Sequence, residues 1–145
     1  MNRLTLLQYH SLSRQLRGEL YYDDSVLHEA TRRLYATDAS VYQEMPVAVA
    51  MPRTTEDIKK LVGFAQKHQL TLLPRAAGTS LAGQVVGSGL VVDTSKYFTK
   101  ILEINPDEKW VRVQPGVIRD DLNKALAPYG LLFGPETSTA NRAMI

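Results

Sequence analysis

Residues Pro74-Arg75-Ala76-Ala77-Gly78-Thr79-Ser80-Leu81-Ala82-Gly83-Gln84 gather small side chains and two hydroxyls into one stretch. Small side chains let backbone N–H groups approach a ligand closely, and glycine takes positive φ at little steric cost. Successive N–H groups in such a turn form a concave site for an anion, with phosphate the usual occupant. The chemistry expected here is the grip on a phosphorylated cofactor. A tight strand-to-strand turn with no ligand satisfies the same composition. Two phosphate motifs are excluded. Gly78 and Gly83 have Walker A spacing, but Gln84 and Val85 stand where Lys and Ser/Thr are required. A Rossmann G-x-G-x-x-G is absent, and no helix pattern follows the loop at once.

The elements around this loop can be read from periodicity. Residues 1–20 mix leucines with polar groups and predict a helix of unfixed register. Asp23-Asp24-Ser25 supplies N-cap candidates for a second helix, in which Leu27, Ala30 and Leu34 share a face. Pro46 to Pro52 is a β-prone run fenced by prolines. Thr54 and Asp57 match a capping box, followed by Ile58, Leu61, Val62 and Ala65 at the spacing of a buried helical face. Leu70 to Leu73 reads as the next strand, so residues 46–74 predict strand–helix–strand with the strands parallel. Beyond the loop come strands at 89–93, 101–104 and 110–113, the last two joined by the turn Asn105-Pro106-Asp107-Glu108. Ile118, Leu122, Ala125 and Leu126 mark a further helix, stopped by Pro128 and Gly130.

Composition narrows the function classes. With 145 residues, 44% apolar and 22% charged, the chain suits one ordinary domain or two small ones. A net charge of +2, dispersed without blocks, gives no footprint for nucleic acid. There is no cysteine, which excludes disulfides, thiolate zinc and iron–sulfur ligation from within this chain. No apolar run approaches the roughly 18–20 residues of a membrane helix. The N-terminus lacks a secretory pattern. Cytoplasm is the expected compartment, with a peripheral place on the inner face of a membrane as the variant. The terminal residues Thr139 to Ile145 carry no stop signal, so the chain is expected to be cut from something longer.

The segment Pro74 to Gln84 resembles the pyrophosphate loop P-R-G-x-G-T-S-L-x-G of FAD-linked oxidases of the vanillyl-alcohol oxidase (PCMH-type) superfamily. Further pieces follow in that superfamily's order. They are Thr37-Asp38-Ala39-Ser40, Pro46 to Pro52 with Thr55-Glu56-Asp57-Ile58, Leu90 to Ser95, Val113 to Val117, and Phe133 to Asn141. The pattern is most similar to the glycolate oxidase/D-lactate dehydrogenase branch.

The resemblance implies an α/β (α+β) fold of PCMH type, a small parallel β-α-β subdomain followed by the start of an antiparallel one. Residues 1–36 would be an N-terminal helical segment and 37–145 the N-terminal part of the FAD-binding domain. N–H groups of Ala76, Ala77, Gly78 and Thr79, with the Ser80 hydroxyl, would bind the FAD pyrophosphate, and Arg75, Gly83 and Gln84 belong to the same cofactor loop. Pro135, Thr137, Ser138 and Ala140 would approach the isoalloxazine or ribityl side. Ala76 and Ala77 replace glycines of the pattern, which requires negative φ at both positions. Covalent members carry a histidine near Thr79; here His10, His28 and His68 all lie outside the loop, so FAD is expected to be non-covalent.

The implied activity is oxidation of a small 2-hydroxy acid, of glycolate or D-lactate type, by hydride transfer to flavin N5. Substrate groups, and an iron–sulfur module or other electron-transfer partner, would come from sequence beyond this chain, and no catalytic residue is assigned within it. Two alternatives stand beside this one: a structural fragment that binds no flavin, and the FAD domain of a UDP-N-acetylenolpyruvylglucosamine reductase-like enzyme. His28, His68 and Trp110 read as packing or surface residues, and Asp23/Asp24 and Asp120/Asp121 as helix-start residues.

Overall fold

A computed structural model describes residues 4–145. The chain runs α1 (Leu6–Ser13), β1 (Glu19–Tyr21), α2 (Val26–Leu34), β2 (Ala48–Met51), α3 (Thr55–His68) and β3 (Leu72–Arg75). It continues with β4 (Leu90–Asp93), β5 (Ile101–Asn105), β6 (Trp110–Val113) and α4 (Arg119–Leu126), which ends in a 3-10 turn over Ala127–Tyr129. The architecture is mixed α/β, with one largely parallel and one antiparallel sheet.

The first sheet has the order β1-β2-β4-β3. β2 and β3 both lie parallel to β4, so the expected strand–helix–strand unit is present with a later strand inserted between its two strands. That position buries β4 on both faces, which explains its unbroken run Leu90-Val91-Val92. The N-terminal segment is not wholly helical. Residues 19–21 instead form the edge strand β1, antiparallel to β2, with Leu20 opposite Ala50. Three residues are too few to show strand periodicity against the leucines that precede them.

α3 begins at the expected capping box, Thr54 with Asp57. Its buried face is Asp57, Leu61 and Ala65, with Phe64 beside them, whereas Val62 is half exposed. α1 adds Tyr9 and Leu12 to the same core. α2 forms where expected, but its shared apolar face points outward: Leu27 and Leu34 are 65% and 73% exposed. The inward side carries His28 and Arg32 instead, bound to the Asp23-Asp24 turn.

A second core joins α4 to the β5–β6 hairpin. Val117, Leu122 and Leu126 pack against Ile101, Ile104, Val111, Val113 and Phe133. Among the described residues no helix is long and apolar enough to cross a membrane.

Candidate functional site

β3 ends at Arg75, whose carbonyl accepts from the Thr94 N–H at 2.9 Å and the Thr94 hydroxyl at 3.2 Å. The chain then leaves the sheet with its donors unspent. Among the described residues, the N–H groups of Ala76, Ala77, Gly78, Thr79, Ser80 and Leu81 donate to no protein acceptor. Gly78 and Gly83 have φ of 66° and 74°, while Ala76 and Ala77 stay outside the left-handed region. The condition set by the two alanines is therefore met.

A Cβ added to Gly78 would lie 2.5 Å from Arg75 Nη2, so the backbone there rests directly against the guanidinium. Ser80 Oγ accepts from the N–H groups of Ala82 and Gln84, which closes the second half of the loop on itself and leaves the hydroxyl proton to donate. The Gln84 side chain also accepts from Ala82 N–H.

Beside the loop lies a cleft of about 350 Å³. Arg75, Ala76 and Ala77 line it from the loop. Tyr35, Asp93 and Ser95 line it from the ends of α2 and β4, and Ile118, Arg142 and Met144 from the C-terminal part. The last three are placed by a short antiparallel bridge, in which Arg119 N–H donates to Ala143 O and Ile145 N–H to Val117 O.

Asp93 is 3% exposed and both its oxygens are engaged. The Tyr35 hydroxyl donates to Oδ2 and the Ser95 N–H to Oδ1 at 2.6 Å. Burial pushes the Tyr35 phenol well up, and the Asp93 carboxylate pushes it further, so the hydroxyl keeps its proton. Burial acts upward on Asp38 as well, but the Ser40 N–H bonded to it, the neighbouring Ser40 and Ser80 hydroxyls and the Arg75 charge together hold its carboxyl below the usual range.

Of the residues expected from sequence, Arg75, Ala76 and Ala77 line the cleft, and Gly78, Thr79, Ser80, Gly83 and Gln84 continue the loop away from it. The second expected loop is less close. Pro135, Thr137 and Ser138 are exposed and line no part of the cleft, and Ala140 is half-buried. Their segment is held against α4: Arg119 Nε donates to Pro135 O, and Phe133 N–H donates to Asn123 Oδ1 at 2.8 Å. On that side the cleft wall is Arg142 and Met144, a few residues further on.

Sequence reasoning also missed Tyr35 and Asp93 as site residues. Asp93 was within a recognisable motif, but its partner Tyr35 lies 58 positions away. The other tempting residues have structural partners. His28 meets Asp23 at 3.0 Å, His68 packs on Phe64, and Trp110 Nε1 donates to Glu108 at 2.6 Å. Asp120 and Asp121 pair with Arg119 and Lys124.

Residues 46–145 match the family described as "FAD binding domain". The chain belongs to that family. FAD is its cofactor, and the donor-rich loop with a glycine held against an arginine fits a dinucleotide's diphosphate.

D-2-hydroxyglutarate dehydrogenase of Pseudomonas putida is 47% identical over 119 residues, covering 80% of this chain and 12% of that protein. Glycolate oxidase subunit GlcD of Bacillus subtilis is 36% identical over 127 residues, covering 86% of this chain and 26% of the relative. The chain thus spans a small part of the curated relatives it matches. Among solved structures, p-cresol methylhydroxylase superposes with a TM-score of 0.74 at 15% identity, over 97% of this chain and 29% of that one. The fold is accordingly PCMH-type.

Proposed function

We propose that this chain is the FAD-binding segment of a flavin-dependent dehydrogenase that oxidises a small 2-hydroxy acid. The observation that carries the cofactor assignment is the run of N–H groups from Ala76 to Leu81, without an acceptor among the described residues, around the left-handed Gly78. These groups would hold the diphosphate, with the Ser80 hydroxyl as a further donor and Arg75 as a neighbouring positive charge. Ala140 and the exposed Pro135, Thr137 and Ser138 would approach the flavin end.

When bound, FAD supplies a hydride acceptor at flavin N5. The residues of this chain bind and orient it. The family's covalent histidine has Thr79 near its place, which supports non-covalent attachment.

The substrate reading shifts from glycolate or D-lactate toward a hydroxy diacid. The relative named D-2-hydroxyglutarate dehydrogenase is 47% identical, against 36% for the glycolate oxidase subunit. D-2-hydroxyglutarate is therefore the first substrate to assay, with glycolate and D-lactate beside it.

Titrating the flavin-free protein with FAD tests the reading. Saturable binding at one FAD per chain, with flavin quantitatively released on acid precipitation, is the expected result. A colourless protein whose melting temperature ignores excess FAD favours the structural-fragment alternative. Flavin left in the acid pellet would overturn non-covalent binding.

A further inference from the structure

The family match begins at residue 46, yet the arginine of the loop is held by residues upstream of it. Arg75 Nη1 donates to the carbonyls of Thr37 at 2.8 Å and Tyr35 at 3.4 Å. The guanidinium carbon lies 5.0 Å from the centroid of the Tyr35 ring, within the range of cation–π attraction. The hydroxyl of the same ring donates to Asp93.

Asp93 shares one cleft with two cations, Arg75 and Arg142, and pairs with neither; Arg75 is the one opposite it in the β3–β4 register. Arg75 forms no ion pair among the described residues. Tyr35 touches both Arg75 and Asp93: its ring lies against the cation and its hydroxyl occupies the carboxylate. A carboxylate in a buried position that loses a donor seeks the nearest cation. If Arg75 turned to Asp93, its guanidinium would leave the backbone at Gly78 and its charge would be spent within the protein.

We propose that Tyr35, outside the family-matched residues, is a positioning residue that insulates Arg75 from Asp93 and so keeps the arginine's charge available to the diphosphate. This inference rests on the loop being the FAD diphosphate site. Tyr35 acts on the cofactor through Arg75, with its hydroxyl satisfying the carboxylate that would otherwise capture the guanidinium.

The test measures FAD and riboflavin affinity for the whole protein in wild-type, Tyr35→Phe and Tyr35→Phe/Asp93→Asn forms. The Tyr35→Phe change keeps an aromatic ring against Arg75 and removes only the hydroxyl. FAD affinity should fall about tenfold in Tyr35→Phe, the scale of one charge-assisted hydrogen bond, while riboflavin, which has no phosphate, binds unchanged. Adding Asp93→Asn should restore most of the lost FAD affinity, since no carboxylate remains to capture Arg75.

An unchanged FAD affinity in Tyr35→Phe overturns the inference, as does equal loss of both ligands or a double variant no better than the single one. If Tyr35→Phe does not fold, Asp93→Asn alone decides: FAD binding at least as tight as wild type supports the insulating role, and weaker binding overturns it. A wild-type protein that binds no FAD would instead overturn the cofactor site itself, and this inference with it.

Discussion

At Gly78 the backbone takes φ 66° against the Arg75 guanidinium, so a methyl group there meets two penalties at once. The left-handed conformation costs an L-residue roughly 1–2 kcal/mol, and the arginine must also give way. Gly78→Ala should weaken FAD binding at least about tenfold in a fluorescence titration. Ala76→Gly is the opposite case. Ala76 does not occupy the left-handed region, so glycine there should leave FAD affinity unchanged and lower stability by about 0.5–1 kcal/mol through unfolded-state entropy. The left-handed turns at Gly78 and Gly83 were legible because their cause is local. Tyr35 was not, because its ties to Asp93 and Arg75 exist only once α2, β3 and β4 have come together.

The elements show the same division between local and distant causes. The Thr54/Asp57 box is a four-residue signal and starts α3 as expected. What the spacing does not reveal is that Asp57 also accepts from the N–H groups of Arg17 at 2.9 Å and Gly18 at 3.1 Å. It is fully buried and receives those of Arg53 and Thr54 as well. Asp57→Ala should therefore destabilise the fold by about 3 kcal/mol or more in denaturant unfolding, since several buried donors lose their acceptor.

Acid should act on another tie between elements. Burial pushes Glu19 on β1 upward, but Lys96, Tyr21 and Tyr97 outweigh it and lower its pKa from 4.5 to about 2. A carboxylate depressed in the fold stabilises it above pH 4.5, and that contribution disappears as pH falls toward 2. The melting temperature should decline across this window, and Glu19→Gln should flatten the decline. The outward turn of α2 is the counterexample to reading burial from periodicity. Its i, i+3, i+7 apolar set is real, yet the side facing the sheet is polar because Arg32 and His28 serve the preceding turn.

For the whole molecule, two hydrophobic cores flank a cleft lined by both halves of the chain. The mixed α/β class was legible in the alternation of helix and strand patterns. The insertion of β4 between β2 and β3 was not, because strand order depends on pairings between segments far apart in sequence. A ligand that bridges the halves stabilises both: at a hundred times its dissociation constant, FAD should add about 2.7 kcal/mol and raise the melting temperature by a few degrees. Riboflavin at the same concentration should do less, lacking the diphosphate.

Hydrogen exchange of the backbone amides from Ala76 to Leu81, with and without FAD, probes the diphosphate assignment most directly. These N–H groups have no acceptor among the described residues, so they should exchange fast in the free protein. FAD should slow them about tenfold or more, and riboflavin should leave them unchanged. Exchange that stays fast while FAD is bound would place the diphosphate elsewhere and contradict the role assigned to this loop.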